Sequence, residues 1–140
     1  MDKDVLETKL EALIRCVHRI KDQNISTLEE LEKNLDKQEI IILNLQRAVQ
    51  ICVDIGNHIL LDYKTPTPST MAETFKYLAQ NNLITQANAE ELSHAVGFRI
   101  IAVHQYEEID CKIIFSIITS HLDDFKTFAG AIEKVAGNIK

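Results

Sequence analysis

Two prolines and four glycines in 140 residues leave little punctuation for a fold of many short strands. The three cysteines, Cys16, Cys52 and Cys111, are odd in number and far apart, with no CxxC pair. Neither a zinc ribbon nor a thioredoxin-like redox site is signalled. Each cysteine lies in an apolar helical pattern and reads as a small buried thiol, which suits a reducing cytoplasm. No run of about 18 apolar residues occurs, so no membrane span is expected. The opening MDKDVLE reads without an apolar signal region. Excess positive charge is also missing: the formal net charge is −6 and the sequence pI is near 5.3. That argues against a surface dominated by nonspecific phosphate binding, while leaving room for a small basic site. No HExxH, Gly-rich phosphate loop or GxSxG elbow occurs. The five histidines lack metal-ligand spacing, so no metal site is expected. The acidic pairs Glu29–Glu30, Glu90–Glu91, Glu107–Glu108 and Asp123–Asp124 are neighbours in sequence. Adjacent residues on a helix do not face each other, so these pairs do not read as acid/base dyads.

What is present is helical periodicity. Hydrophobic residues make up 46% of the chain, enough for a core in one domain spanning residues 1–140. Leu6, Leu10, Leu13, Val17 and Ile20 alternate by four and three along one face of a first helix. A polar stretch, 22–36, reads as a loop with a short helix. A second helix is expected over 37–61, with Ile41, Leu45, Ala48, Cys52, Ile55 and Ile59 on its apolar face. Pro66 and Pro68 then break the pattern. Thr70 with Glu73 makes a capping box that opens a short third helix through Ala79. A fourth helix is expected over 88–106 and a fifth over 111–135, striped by Ile114, Ile118, His121, Phe125, Phe128, Ile132 and Val135. The class is all-α: an antiparallel bundle of about four long helices and one short one.

The polar residues inside apolar stretches carry the candidate chemistry. Leu92, Val96, Arg99, Val103 and Tyr106 share one stripe of the fourth helix. Phe98, Ile101 and Ala102 make the other side apolar too, as in a helix buried all round. A buried arginine needs a partner, and two readings stay open: an ion pair with a carboxylate such as Asp54, or a binding site. His104 lies five residues past Arg99, about 140° around an ideal helix, so the two do not meet on one straight helix. Either the helix unwinds near HQYEE or a second copy completes the site. On the second helix Asn44, Arg47, Asp54 and His58 fall within about 80° of one another, beside Ile40 and Ile51. They form either one wall of a pocket holding Arg99 and His104 or a hydrogen-bonded seam. On the first helix Arg15, His18, Arg19 and Asp22 cluster away from the core. They read as a solvated face, or functionally as a phosphate-backbone contact. His121 reads as a core histidine, and His94 has no evident partner.

RIIAVHQY, residues 99–106, matches the Rx4HxY motif of the HepT-like toxins, ribonucleases of the HEPN fold (higher eukaryotes and prokaryotes nucleotide-binding). Residues 42–60, ILNLQRAVQICVDIGNHIL, resemble the second helix of these toxins, and 66–84, PTPSTMAETFKYLAQNNLI, resembles the stretch that follows. The resemblance spans nearly the whole chain. It implies a helical HEPN homodimer in the cytoplasm with the catalytic cleft at the dimer interface. The activity implied is RNA cleavage that needs no metal or other cofactor, by attack of the ribose 2′-hydroxyl on the neighbouring phosphate. His104 would be general base or acid and Arg99 would hold the phosphate. It also implies a minimal (MNT-type) nucleotidyltransferase antitoxin that uses ATP and Mg²⁺ to attach AMP to Tyr106, loading negative charge beside Arg99. One departure concerns the residue after the motif arginine, often asparagine in the family and here Ile100; a polar task there would pass to Asn44 or His58. Ile100 favours the alternative, a non-catalytic HEPN module that binds nucleotide or RNA as regulatory subunit of a nucleotidyltransferase. A third reading is a purely structural bundle dimer in which Arg99 pairs with Asp54.

Overall fold

The structure, a computed structural model, describes residues 2–104 and 110–137, and of 99–104 it describes the backbone. Among the described residues the chain folds into helices joined by turns, with no strand. In order these are α1 (Lys3–Lys21), α2 (Leu28–Glu32), α3 (Leu35–Leu60), α4 (Met71–Gln80), α5 (Gln86–His104), α6 (Cys111–Ser120) and α7 (Leu122–Gly137).

Every start except that of α7 is set by a short polar side chain that takes up an otherwise unpaired backbone N–H. The Asp2 carboxylate accepts from the Asp4 N–H at 2.9 Å. The Thr27 hydroxyl accepts from Glu30 N–H, the Asn34 carbonyl from Lys37 N–H, and the Thr70 hydroxyl from Glu73 N–H. The expected capping signal at Thr70 and Glu73 is therefore real, with one shift: the Glu73 carboxylate reaches back to the Ser69 N–H at 2.7 Å. Asn24 and Asn82 take positive φ values of 53° and 59° in the turns after α1 and α4, a conformation asparagine tolerates better than most residues.

The apolar faces meet in one core. Leu6, Leu10, Leu13, Val17 and Ile20 of α1 are buried against α3, the most extensive helix pair. The expected α3 face, Ile41 through Ile59, is buried, and Ile42, Val49, Val53 and Leu60 widen it. Gly56 lets α4 approach α3: a Cβ there would stand 2.5 Å from Thr74 Cγ2. Phe75 of α4 and Phe128 of α7 meet edge to face, centroids 6.1 Å apart at 89°, tying those helices together.

Three expectations need correction. The fifth helix is not continuous: the chain leaves the helix at His121 (φ −125°, ψ 0°), giving α6 and α7. The side chain facing the core at this break is Leu122. His121 is consequently no core residue; its ring is half exposed, 3.1 Å from the Asp124 carboxylate. The repeat 114, 118, 121, 125, 128 is unbroken in sequence, so periodicity gave no warning; two aspartates in the first turn of α7 favour a new helix start there. Finally, Cys16 and Cys52 are buried, but Cys111, the first residue of α6, is only half-buried.

Candidate active site

Positions 99–104 of the motif lie in the last turns of α5. The backbone is helical from Gln86 through His104 without interruption. Positions 99 and 104 are therefore separated by about 140° around the axis and about 7.5 Å along it. Of the two ways to unite them, unwinding near HQYEE falls on 104–108, of which 105–108 lie outside the described residues. The side chains of Arg99 and His104, with Tyr106 and the proposed Arg99–Asp54 pair, lie outside the described residues. Further back on α5, Leu92, Val96 and Phe98 are buried, while His94 and Gly97 are exposed, so the segment leading into the motif keeps one open side.

The α3 set behaves as a border between core and surface. Asn44 is 3% exposed, Asp54 and His58 are half-buried, and Arg47 is exposed. The Asp54 carboxylate accepts from Gln50 Nε2 at 2.8 Å. Asn44 donates from Nδ2 to the Ile40 carbonyl at 2.8 Å, but its Oδ1 is buried and has no hydrogen-bond partner among the described residues. An orphaned buried acceptor costs about 1–3 kcal/mol, and Asn88 Oδ1 is unpaired in the same way among the described residues. Asn44 is the member of the set with the clearest sign of another task. α3 packs against α5, but which of these residues approach Arg99 and His104 falls outside the description.

A second feature escaped the sequence reading. A cleft of about 630 Å³ opens between α5, α6 and α7, walled by Phe98, Ile113, Ile117 and Phe125 and bordered by Glu91, His121 and Asp124. One member of each of two sequence-adjacent acid pairs, Glu91 and Asp124, come together across α5 and α7. The Asp124 carboxylate beside it, with burial as a smaller cause, holds the Glu91 carboxyl above its ordinary range; the Asn88 amide and His121 pull the other way. Asn88, 2% exposed, donates to the Asp124 carbonyl at 3.1 Å and locks the two helices. Adjacency had ruled out dyads within each pair and carried no information about pairing between them. Among the described residues, no group of three or more His, Cys, Asp or Glu is placed to hold a metal ion, and no helix is long and apolar enough to cross a membrane.

The all-helical architecture matches solved HEPN toxin structures, and HEPN is the fold class of this chain. A Shewanella oneidensis HEPN toxin, solved tri-AMPylated and in complex with an MNT antitoxin, superposes with a TM-score of 0.87 at 36% identity, covering 96% of this chain and 99% of that one. The mRNA nuclease HepT of Shewanella oneidensis is 37% identical over 130 residues, 93% of this chain and 97% of that protein. The tRNA nuclease HepT of Aphanizomenon flos-aquae is 27% identical over 128 residues, 91% of this chain and 87% of that protein. The family model described as ribonuclease HepT-like matches residues 6–132. The chain belongs to the ribonuclease HepT-like family.

Proposed function

We propose that this chain is the toxin of a toxin–antitoxin pair, a homodimeric HEPN endoribonuclease whose catalytic groups are Arg99 and His104. The observation that carries the reading is the helix from Gln86 through His104, which sets positions 99 and 104 about 140° apart. That separation favours a site completed by a second copy presenting its own pair across an interface. The domain is taken as residues 1–140, and the setting is the cytoplasm, where transcripts are found.

In the proposed reaction His104 removes the 2′-hydroxyl proton, since an imidazole titrates near neutrality. The 2′-oxygen attacks the adjacent phosphorus, the bond from phosphorus to the 5′-oxygen breaks, and a proton donor, the second His104 of the dimer, completes the 5′-hydroxyl. A 2′,3′-cyclic phosphate remains. Arg99 binds the phosphate oxygens and offsets their developing charge. No metal or other cofactor enters these steps. DNA, which lacks the 2′-hydroxyl, survives.

The partner is an MNT-type nucleotidyltransferase that uses ATP and Mg²⁺. The Tyr106 phenol oxygen attacks the α-phosphate of ATP and pyrophosphate leaves, placing an anionic group one helical stripe from Arg99. Support comes from the AMPylated state and the antitoxin partner of the Shewanella toxin. Asn44, Arg47, Asp54 and His58 are read as the supporting wall. Two experiments test the proposal. Intact mass after incubation with ATP, Mg²⁺ and the adjacent nucleotidyltransferase should rise by whole AMP units, and Tyr106→Phe should abolish the rise. His104→Ala should lose RNA cleavage, measured in EDTA, while the dimer and melting curve are retained. RNA binding by a clean wild-type preparation with no cleavage would instead support the regulatory-module reading that Ile100 favours.

A further inference from the structure

The chain has four arginines, Arg15, Arg19, Arg47 and Arg99; its remaining eleven basic residues are lysines. Arg99 belongs to the motif. The other three converge. Arg15 and Arg19 are one turn apart on the outer side of α1, with His18 between them, and all three are exposed. Arg47 is exposed on α3, the helix against which α1 packs most extensively. Cys16, next to Arg15 on α1, is buried in the core. Burial pushes its thiol up, and the charges opposing the rise are Arg19, then Arg47, then Arg15.

Two details separate this patch from an ordinary solvated face. The sector has acids nearby, Glu11 and Asp22, in a chain whose acids outnumber its bases. Yet the ion pairs among the described residues are Lys33–Glu29 and His121–Asp124, so no described carboxylate stands within ion-pair distance of the three arginines, although Arg15 shares a cleft with Glu7, Glu11 and Glu133. Moreover, arginine stands at each position in a chain that otherwise uses lysine. A guanidinium grips two phosphate oxygens at once, where an ammonium acts as a point charge. Around the α1 pair the surroundings favour a polyanion over a protein partner, whereas beside Arg47 on α3 the apolar Leu43 is exposed one turn away. The exposed large apolar residue on α1 is Val5, ten residues before Arg15.

We infer that Arg15, Arg19 and His18, leading out from Arg47 of the supporting wall, form a backbone-binding track that holds single-stranded RNA beyond the cleavage site. The inference rests on the ribonuclease reading. An acidic protein repels RNA at long range, and a local track would hold the strand while the cleft acts on one phosphate.

The test uses the full-length protein with His104→Ala, so that RNA stays intact, and a labelled single-stranded RNA of about 20 nucleotides titrated at several salt concentrations. Arg15→Gln with Arg19→Gln removes two charges from α1, which carries no proposed cleft residue; Arg47→Gln is tested separately. The α1 pair should weaken binding roughly tenfold and lower the log–log salt slope by about 1.4, at about 0.7 per phosphate contact. With His104 restored, kcat/KM on long RNA should fall with kcat unchanged, and cleavage of a dinucleotide too short to reach α1 should be unaffected. Unchanged affinity and slope would overturn the track. So would intact RNA binding with lost binding of the nucleotidyltransferase, which would make the patch a protein interface. Cleavage by the wild type together with 20-mer binding no tighter than that of the α1 double variant overturns the track and leaves the ribonuclease reading standing; no cleavage by the wild type overturns that reading.

Discussion

Asn44→Leu should make this protein more stable and a poorer ribonuclease. Asn44 is buried on α3 with Oδ1 unpaired among the described residues, and removing an orphaned acceptor relieves about 1–3 kcal/mol. The substitution forfeits the Nδ2 bond to the Ile40 carbonyl, worth roughly 1 kcal/mol net. That carbonyl keeps its α-helical bond, so no new orphan appears. Leucine also buries apolar surface, at about 25 cal/mol per Å², offset in part by the crowding of its larger end. The balance is a gain of about 1–2 kcal/mol, or roughly 3–6 °C in Tm for a chain of this size. Thermal unfolding at matched protein concentration reads the first half, because a dimer's Tm depends on concentration. Cleavage of a labelled RNA reads the second, and at least a tenfold loss is expected if the amide oxygen serves the cleft. A Tm lowered by several degrees would show that Oδ1 has a partner in solution and sink the argument. A raised Tm with full activity would leave Asn44 without a role in the site.

Two further outcomes follow from the packing. Gly56→Ala gains about 1 kcal/mol in helix propensity, but its Cβ would strike Thr74 Cγ2 at 2.5 Å and Leu78 Cδ1 at 3.0 Å. Thr74 is fully buried and donates to Asn57 Oδ1 at 2.7 Å, so it cannot turn aside freely. With overpacking costing about 1–3 kcal/mol, a net loss in urea unfolding is expected, and a gain would mean that α3 and α4 separate at little cost. Glu91 is held above its ordinary range in the folded chain, so the folded state binds that proton more tightly than the unfolded one. Its contribution is fully present below the unfolded-state pKa and is lost as pH rises through the folded-state pKa. Glu91→Gln, which can donate to Asp124 at any pH, should therefore melt higher than wild type at neutral pH, with the difference shrinking toward pH 4; a pH-independent difference would dissolve the Glu91–Asp124 pairing.

Much of this molecule is legible in one dimension because helices repeat locally. The stripe from Leu6 to Ile20, the α3 face from Ile41 to Ile59 and the cap at Thr70 depend on residues within a few positions of one another, and all appear in the fold. The motif at 99–106 was readable for the same reason, as was the expectation that its two main positions point apart. What tertiary structure decided depends on residues far apart in sequence. The break at His121 was hidden because the apolar repeat continues through it. Glu91 meets Asp124 only because α5 and α7 pack together, and Arg47 joins Arg15 and Arg19 only because α3 lies against α1. Periodicity states which side of a helix is apolar; which charges then face one another depends on how the helices are laid against each other, and that is set by the packing of the core.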